Sequence, residues 1–349
     1  MVPALAVADA LRASGAAVSF LGTRDRAEAD LVPAAGYEID FLDVRGLDRR
    51  NPLKAAAAAF RAAAAIPAAK GVLRRVGADV VLGGGGYVAG PAGLAALRIR
   101  LPLVLTEADS HLGLANRMLA RRARRVCLAF PIDGREGDPY LVTGRPVPEA
   151  IIAADRAAAR ERFGIPAGDR CLLVFGGSLG ARTINRAALD AFAEAGGDRD
   201  FWVLHIAGRR DYPEARDRLA TARPERYVLL EYEPDLGDAL AASDLVLARS
   251  GGSVFELAAA GRPAILIPFP HATAGHQHAN ARWMAEAGAA VMLEDAEVSA
   301  DRLAAEAGRL LADREQLERM AEASKRLARP DAAERIAAEV LAAAGRTGP

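Results

Sequence analysis

The sequence predicts an α/β protein with two domains. Short apolar runs of strand type recur along the chain, and segments with helical spacing of apolar residues follow them. Three of these strand-to-helix junctions carry glycine-rich loops, at residues 83–86, 176–182 and 249–252. The 349 residues suffice for two domains with a core each. We therefore place one domain at residues 1–147 and the other at 148–330.

The composition argues against several classes of protein. Lys plus Arg and Asp plus Glu both number 45, so no overall field favours nucleic acid as a partner. Cys127 and Cys171 stand in apolar runs without the spacing of a metal site, which predicts buried thiols in a reducing compartment. The N-terminus lacks the basic start of a signal peptide, and Arg61 and Pro67 interrupt the longest apolar stretch. We expect a cytoplasmic protein without a spanning helix.

The first elements follow the order of a βαβ series that lacks its first strand. Residues 3–14 have helical spacing, 17–21 form a strand-type run, 25–35 a second helix and 39–41 a second strand. Such a start leaves a sheet edge without its partner strand. We therefore expect an N-terminal strand to be missing and the chain as written to be poorly stable.

Residues 49–78 carry seven basic residues and no acidic one, interleaved with large apolar side chains. A helix of this kind is able to lie on an anionic membrane surface, where each basic group contributes about 1 kcal/mol. An amphipathic helix that packs on the sheet with its charges in water has the same pattern. On the membrane interpretation, the contact residues are Lys54, Phe60, Arg61, Lys70 and Arg74.

The first glycine loop, at residues 83–86, precedes Tyr87 and an alanine-rich helix. It serves either close approach of a ligand or tight packing of strand and helix. The next strand, at 103–105, ends in a polar loop that contains Glu107, Asp109 and His111. His111 is either a proton carrier or a histidine of a solvated loop.

The second glycine loop has the residue types that bind phosphate. After the buried run 171–175 come Gly177, Ser178, Gly180 and Arg182, and a helix follows. Free amides at a helix N-terminus, a hydroxyl and a guanidinium all favour diphosphate oxygens. Dinucleotide-binding folds share this signature.

The third loop and the helix after it form a second candidate for the same ligand. Ser250, Gly251 and Gly252 follow a strand and precede a helix that contains Glu256. Glu256 either accepts the hydroxyls of a ribose or closes an S-x-x-E capping box with Ser253. The loop after the next strand leads to His276 and Gln277, which are suited to bind hydroxyls at the carboxyl end of a parallel sheet.

Three motifs together resemble the MurG family of bacterial transferases, which belongs to glycosyltransferase family 28. They read GGGGYVAGP at residues 83–91, GGSLGARTIN at 176–185 and RSGGSVFELAAAGRPAILIPFPHATAGHQHANA at 249–281. The resemblance extends over nearly the whole chain. It implies the GT-B fold, in which two Rossmann-like doubly wound domains face each other across a cleft. It also implies that the last helix, at 331–344, packs back on the first domain.

The activity that the resemblance implies is an inverting glycosyl transfer in peptidoglycan synthesis. The donor is UDP-N-acetylglucosamine, and the acceptor is the 4-hydroxyl of undecaprenyl-linked N-acetylmuramyl-pentapeptide. The resemblance implies no cofactor, no metal and a peripheral position on the anionic cytoplasmic face of the plasma membrane. Two alternatives stay open: another GT-B enzyme of UDP-sugars, such as a glycolipid glycosyltransferase or a UDP-N-acetylglucosamine 2-epimerase, and a nucleotide-sugar-binding protein without turnover.

The resemblance assigns roles to matching residues. Glu256 holds the ribose of UDP, Gln277 contacts the N-acetylglucosamine hydroxyls, and Ser178 contacts the diphosphate. The remaining donor-site residues are Gly177, Gly180, Arg182, Ser250, Gly251, Gly252 and His276, and the acceptor-cleft residues are Gly85, Gly86, Tyr87 and Glu107.

The chain also departs from the family pattern. Thr106, Asp109, Arg145 and Pro148 replace the residues that the family usually has at these positions. The family begins with a strand and a glycine loop that ends in the histidine proposed as general base, and Met1 aligns just after that histidine. The resemblance therefore leaves Asp109 and His111 as candidate bases and predicts that the chain as written is nearly inactive.

Overall fold

A computed structural model of the chain describes residues 1–44, 52–177, 180–194 and 199–345. The chain divides into two compact units, one of residues 1–148 and 329–349 and the other of residues 149–328. Strands alternate with helices in both units, and every strand pairing among the described residues is parallel. The predicted α/β class is confirmed.

The elements of the first unit are α1 Val2–Ala13, β1 Ser19–Gly22, α2 Glu28–Ala34, β2 Glu38–Phe41, α3 Pro52–Arg75, β3 Val81–Gly83, α4 Gly86–Arg98, β4 Leu103–Glu107, α5 Leu114–Leu119 with a 3-10 turn at Ala120–Arg122, β5 Arg125–Leu128 and β6 Tyr140–Val142.

The second unit begins with α6 Glu149–Ala153, α7 Arg156–Phe163, β7 Arg170–Phe175, α8 Arg182–Leu189 with a π-helical turn at Asp190–Glu194, β8 Phe201–Ile206, α9 Tyr212–Ala222, β9 Tyr227–Leu230, α10 Leu236–Ala242, β10 Leu245–Ala248 and α11 Val254–Ala259. It continues with β11 Ala264–Leu266, a 3-10 turn at Thr273–Gly275, α12 His276–Glu286, β12 Ala290–Met292, a 3-10 turn at Asp295–Glu297, α13 Ala300–Ala312 and α14 Arg314–Leu327. The last helix, α15 Ala332–Ala343, belongs to the first unit.

The first unit contains a two-stranded sheet of β1 and β2 and a four-stranded sheet of β3, β4, β5 and β6 in that order. Both faces of β4 are covered by helices. Successive side chains of a strand point to opposite faces. Leu103 and Leu105 pack with α3 and α4, whereas Val104 packs with α1 and α15. The thiol of Cys127 is buried in the second of these layers, and burial raises its pKa to about 12.

The six-stranded sheet of the second unit has the order β12-β11-β10-β7-β8-β9. Numbered from β7, this is the strand order of the Rossmann fold, in which the direction of winding reverses between the first and fourth strands. Here that reversal lies between β7 and β10. The thiol of Cys171 is buried in β7, where its pKa rises to about 12, so both cysteines are the buried packing residues that the sequence predicted.

The prediction that no segment is long and apolar enough to span a membrane was wrong, because α3 passes that test over Ala56–Arg75 by length and composition. Its many alanines outweigh Arg61 and Pro67. One face of α3 nevertheless packs into the first unit through Ala65, Ala69 and other apolar residues. Only 28 % of that segment is buried, so its other face is open.

Candidate functional site

The carboxyl ends of three neighbouring strands of the second unit lie at one level. Phe175 at the end of β7 stands opposite both Ala248 of β10 and Ile206 of β8. In open α/β sheets, ligands bind outside the carboxyl ends of the strands where the winding reverses. The strand order therefore selects the loops after β7 and β10, at residues 176–181 and 249–253, as the candidate site.

The loop from β7 to α8 is tightly packed at Gly176 and Gly180 and open at Gly177. A Cβ at Gly176 would lie 2.3 Å from the Cβ of Ala181, and one at Gly180 would lie 2.2 Å from the carbonyl oxygen of Ala207. At Gly177, whose φ is +94°, no described atom lies within 4 Å of the corresponding position. A ligand is therefore able to approach the backbone here. Ser178 lies outside the described residues, and its role stays a prediction.

The N-terminus of α8 has no side-chain cap from the described residues. The helix begins at Arg182, and Ala181 before it supplies no side-chain hydrogen bond to the first turn. Its first amides thus lack an intrahelical partner, and the helix dipole adds about 0.3–1 kcal/mol for a nearby negative charge. The Arg182 side chain is 56 % exposed. This arrangement suits a diphosphate.

The loop after β10 is held from α12. Ser250 donates its hydroxyl to the carbonyl oxygen of Gln277 at 2.8 Å. The Asn280 amide donates to the carbonyl oxygens of Ser250 at 2.9 Å and Gly251 at 3.2 Å. The structure thus brings the predicted residues Ser250, Gly251 and Gln277 together. Asn280 was missed, because an asparagine in a helix carries no sign of the distant loop that it binds.

Gln277 also ties the loop after β11 to this cluster. Its Oε1 accepts a hydrogen bond from the Phe269 amide at 2.9 Å, so its Nε2 group remains to donate to a ligand. That nitrogen lies 3.9 Å from the position that a Cβ would take at Gly251. His276, the first residue of α12, is half-buried beside it.

The capping-box interpretation of Glu256 is not supported. Ser253 precedes α11 with φ −61° and ψ −15°, and its side chain makes no capping hydrogen bond. An N-capping serine needs an extended backbone to aim its hydroxyl at the first-turn amides, whereas Ser253 is already helical. Glu256 lies half-buried in the first turn of α11.

A buried polar network that the sequence analysis missed supports the first loop. The Asn185 amide, in α8, donates to the carbonyl oxygen of Ala207 at 2.8 Å, and its oxygen lies 3.0 Å from His205 Nε2. His205 Nδ1 lies 2.8 Å from the hydroxyl of Tyr227. Burial lowers the pKa of His205 to about 4, so the ring is neutral. A histidine inside the apolar run of β8 was the available signal, because a buried imidazole needs partners.

In the first unit, the predicted acceptor residues lie at the carboxyl ends of β3 and β4. α4 begins at Gly86, and Gly85 before it has φ +79°. Tyr87 is therefore in the first helical turn, where it is 46 % exposed and carries the Arg26 guanidinium 5.5 Å from its ring centre.

Glu107 is buried and organises its own loop. Its Oε1 accepts hydrogen bonds from the amides of Ala108 and Asp109, at 3.1 and 3.3 Å. Its Oε2 accepts from the Gly113 amide at 2.7 Å and from Asn116 at 2.9 Å. The carboxylate therefore acts through the loop that it folds.

The two candidate bases lie on this loop. Asp109 and His111 are half-buried. Neither side chain makes a hydrogen bond to another described residue, which leaves both groups available to a ligand.

The open face of α3 combines apolar and basic groups. Phe60, Pro67, Gly71 and Arg74 are exposed along one stripe of the helix, and Phe60 is 76 % exposed. Arg61 is also exposed and Lys70 is half-buried. The Lys54 side chain lies outside the described part of the structure. The buried opposite face matches the packing interpretation of this helix, and the exposed stripe is compatible with the membrane interpretation.

Sequence comparison identifies both halves of the chain. The profile of the glycosyltransferase family 28 N-terminal domain matches residues 1–128, and that of the glycosyltransferase family 28 C-terminal domain matches residues 171–336. Two similar proteins carry the name UDP-N-acetylglucosamine–N-acetylmuramyl-(pentapeptide) pyrophosphoryl-undecaprenol N-acetylglucosamine transferase. The one from Halorhodospira halophila is 41 % identical over 96 % of this chain and 92 % of its own length. The one from Methylococcus capsulatus is 42 % identical over 98 % and 95 %.

Solved structures show the same fold. The crystal structure of MurG from Acinetobacter baumannii matches with a TM-score of 0.78 and 28 % identity, over 98 % of this chain and 95 % of that one. A UDP-GlcNAc 2-epimerase from Neisseria meningitidis, bound to UDP-GlcNAc, matches with a TM-score of 0.69 and 17 % identity, over 98 % and 96 %. At that identity the second likeness concerns the fold alone.

Proposed function

The chain belongs to glycosyltransferase family 28, and from that premise we propose that it transfers N-acetylglucosamine from UDP-N-acetylglucosamine to the 4-hydroxyl of undecaprenyl-linked N-acetylmuramyl-pentapeptide. The observation that carries the proposal is the pair of glycine loops at the winding reversal, with Ser250, Gly251 and Gln277 in one hydrogen-bonded cluster. The relatives named for this transfer cover nearly the whole chain.

The donor groups divide between the two loops. The amides around Gly177 and at the start of α8, together with Arg182, bind the diphosphate. Glu256 accepts the ribose hydroxyls, and Gln277 Nε2 donates to a sugar hydroxyl. As the bond from C1 to the diphosphate oxygen breaks, charge grows on the leaving UDP, where fixed amides stabilise it most.

The acceptor groups belong to the first unit. The 4-hydroxyl oxygen of the muramyl sugar forms a bond to C1 with inversion, and its proton passes to a general base. Asp109 and His111 are the candidates for that base, and the hydrogen bonds of Glu107 fix the backbone that carries them. General-base catalysis contributes typically about 10²–10⁴-fold.

No metal ion is required on this proposal. The diphosphate charge is met by backbone amides, the dipole of α8 and a guanidinium, which together replace the usual role of a divalent cation. Among the described residues, no three His, Cys, Asp or Glu side chains gather as metal ligands would.

The test is transfer of radiolabel from UDP-N-acetylglucosamine to a lipid-linked muramyl acceptor, with and without acceptor. Labelled lipid that appears only with acceptor supports the transferase. Release of UDP and a 2-epimer without acceptor would indicate an epimerase instead. UDP binding without any turnover would indicate a binding protein.

Replacing Glu256 with alanine should weaken UDP binding by about 1–3 kcal/mol, because a charge-assisted hydrogen bond to the ribose is lost. Calorimetry with UDP measures this. Glu161→Ala is the matched control, because it removes an exposed carboxylate from α7, outside the glycine loops, and it should leave UDP affinity unchanged. Unchanged UDP affinity in Glu256→Ala would remove this carboxylate from the site.

We also propose that α3, through its exposed stripe and the other basic residues of the helix, docks on the anionic cytoplasmic face of the membrane. Alanine at Lys54, Arg61, Lys70 and Arg74 should reduce binding to anionic vesicles by about two to three orders of magnitude, at about 1 kcal/mol per charge. Flotation with anionic and neutral vesicles measures it. The matched control removes the same charge from exposed positions of the second unit. It carries alanine at Arg216, Arg223, Arg314 and Arg319. Equal flotation of both variants would show that α3 is only a solvated face.

A further inference from the structure

Arg210, in the turn after β8, is fixed against the loop that precedes α8. Its Nε and Nη2 donate to the two carboxylate oxygens of Asp211 at 2.7 and 2.9 Å. Nη2 also donates to the carbonyl oxygen of Gly180 at 3.3 Å. This bidentate geometry holds the plane of the guanidinium in one orientation.

Asp211 is in turn held by the buried network beneath the loop. Its side chain is 5 % exposed, and its Oδ2 accepts from the Asn185 amide at 3.0 Å. Because both amide hydrogens of Asn185 are used, its oxygen accepts from His205 Nε2, and His205 Nδ1 accepts from the Tyr227 hydroxyl. Each donor from Tyr227 to Asp211 thus has one acceptor in this chain of hydrogen bonds. Because Asn185, His205 and Asp211 are buried, the network holds the Asp211 carboxylate in one position.

The rim of the loop carries an excess of positive charge. The hydrogen bond from Arg210 holds the pKa of the Asp211 carboxyl below its usual range, so the group is ionised. Arg182 Nε also lies 3.7 Å from this carboxylate. Glu214 also interacts with Arg182 and pairs with Arg186 at 2.9 Å. Two carboxylates thus face three guanidinium groups, beside the uncapped first turn of α8. The Nη1 group of Arg210 donates to no residue within the described ranges, and its side chain is 47 % exposed.

We propose that Arg210 is a further diphosphate-binding residue of the donor site and that Asp211 positions it. The inference rests on the proposed function. A guanidinium that the protein already holds loses little freedom when it binds, so its remaining hydrogen bonds contribute more to affinity than those of a mobile side chain. Uridine, which lacks the diphosphate, gains nothing from it.

The test compares UDP with uridine by calorimetry on the full chain. Arg210→Ala should weaken UDP binding about tenfold, because a charge-assisted contact is lost, and should leave uridine binding unchanged. Arg216 is the matched control: it donates through Nε and Nη2 to its neighbour Asp217, at 3.1 and 2.9 Å, but both side chains are exposed on α9. Arg216→Ala should bind both ligands as the parent does.

A double-mutant cycle separates positioning from folding. Asp211→Asn should weaken UDP binding in the parent but should add little in Arg210→Ala, because it acts through Arg210. Arg210→Ala that binds UDP within twofold of the parent would overturn the inference and leave the proposed function standing. Equal losses for UDP and uridine would also overturn it, since they indicate a structural role. A parent that binds no UDP would overturn both.

Discussion

Alanine at Gly180 should weaken UDP binding about a hundredfold or more and lower the melting temperature. Gly180 has φ +85°, and an added Cβ would lie 2.2 Å from the carbonyl oxygen of Ala207 and 2.8 Å from Asp211 Oδ2. Ala207 directly follows β8, an inner strand of the sheet, and its amide donates to the carbonyl oxygen of Leu230 at 3.0 Å. The loop rather than the strand therefore has to move. Strain of this kind costs about 3 kcal/mol, which corresponds to about a hundredfold in affinity.

Alanine substitutions at two other glycines distinguish the effect of the steric clash from the effect of a positive φ. Gly164, which ends α7 with φ +68°, and Gly177, with φ +94°, both have open space around the added Cβ. Gly164→Ala should lower stability by about 1 kcal/mol and leave UDP affinity unchanged. The UDP affinity of Gly177→Ala should lie between those of Gly164→Ala and Gly180→Ala. Calorimetry and thermal melting of all three variants measure this, and a Gly180→Ala chain that binds UDP as tightly as Gly164→Ala would show that the loop does not hold the diphosphate.

The elements were predictable because their signals are local. The apolar run at residues 171–175, the glycines after it and the helical spacing from Thr183 all lie within a few residues of one another. The structure places β7 and α8 there, within one residue at each start. The strand order around β7 was not predictable in this way, since it depends on pairings between residues such as Phe175 and Ala248.

The supporting residues of the site were missed for the same reason. Asn185 and His205 are separated by 20 residues, yet they share one hydrogen bond. Asn116 and Asn280 similarly hold Glu107 and Ser250 from neighbouring helices. Asparagine and histidine occur in many environments, so their residue types do not identify their hydrogen-bond partners. Those partners become known only when the helices are packed on the sheet. Glycine-rich loops, by contrast, can be recognised in the sequence, because few other residues adopt their backbone conformations.

Replacing Asp244 with asparagine should destabilise the second unit by about 3–5 kcal/mol, which lowers the melting temperature by about 10 °C or more. Asp244 lies at the amino end of β10, away from the glycine loops. Its carboxylate pairs with Arg156 at 2.6 Å and Arg160 at 2.8 Å and accepts from the Cys171 amide at 2.8 Å. Arg160 is 3 % exposed, so its charge would be left buried and uncompensated.

The exposed pair Arg314–Glu318 gives the matched control, because its side chains are 80 % and 63 % exposed. Glu318→Gln should cost no more than about 0.5 kcal/mol, and equal melting temperatures for it and Asp244→Asn would refute the prediction.

A third arginine near Asp244 gives an internal check. Burial first, and then repulsion from Arg156, lowers the pKa of Arg262 to about 10. Without the Asp244 carboxylate, this repulsion has no counter-charge. Arg262→Met in the Asp244→Asn chain should therefore recover part of the lost stability, whereas Arg262→Met in the parent, where Arg262 donates to the carbonyl oxygen of Ser243 at 2.9 Å, should not stabilise. Thermal melting of the four chains measures the difference, and a further loss in the double variant would show that the arginines do not repel one another through this cluster.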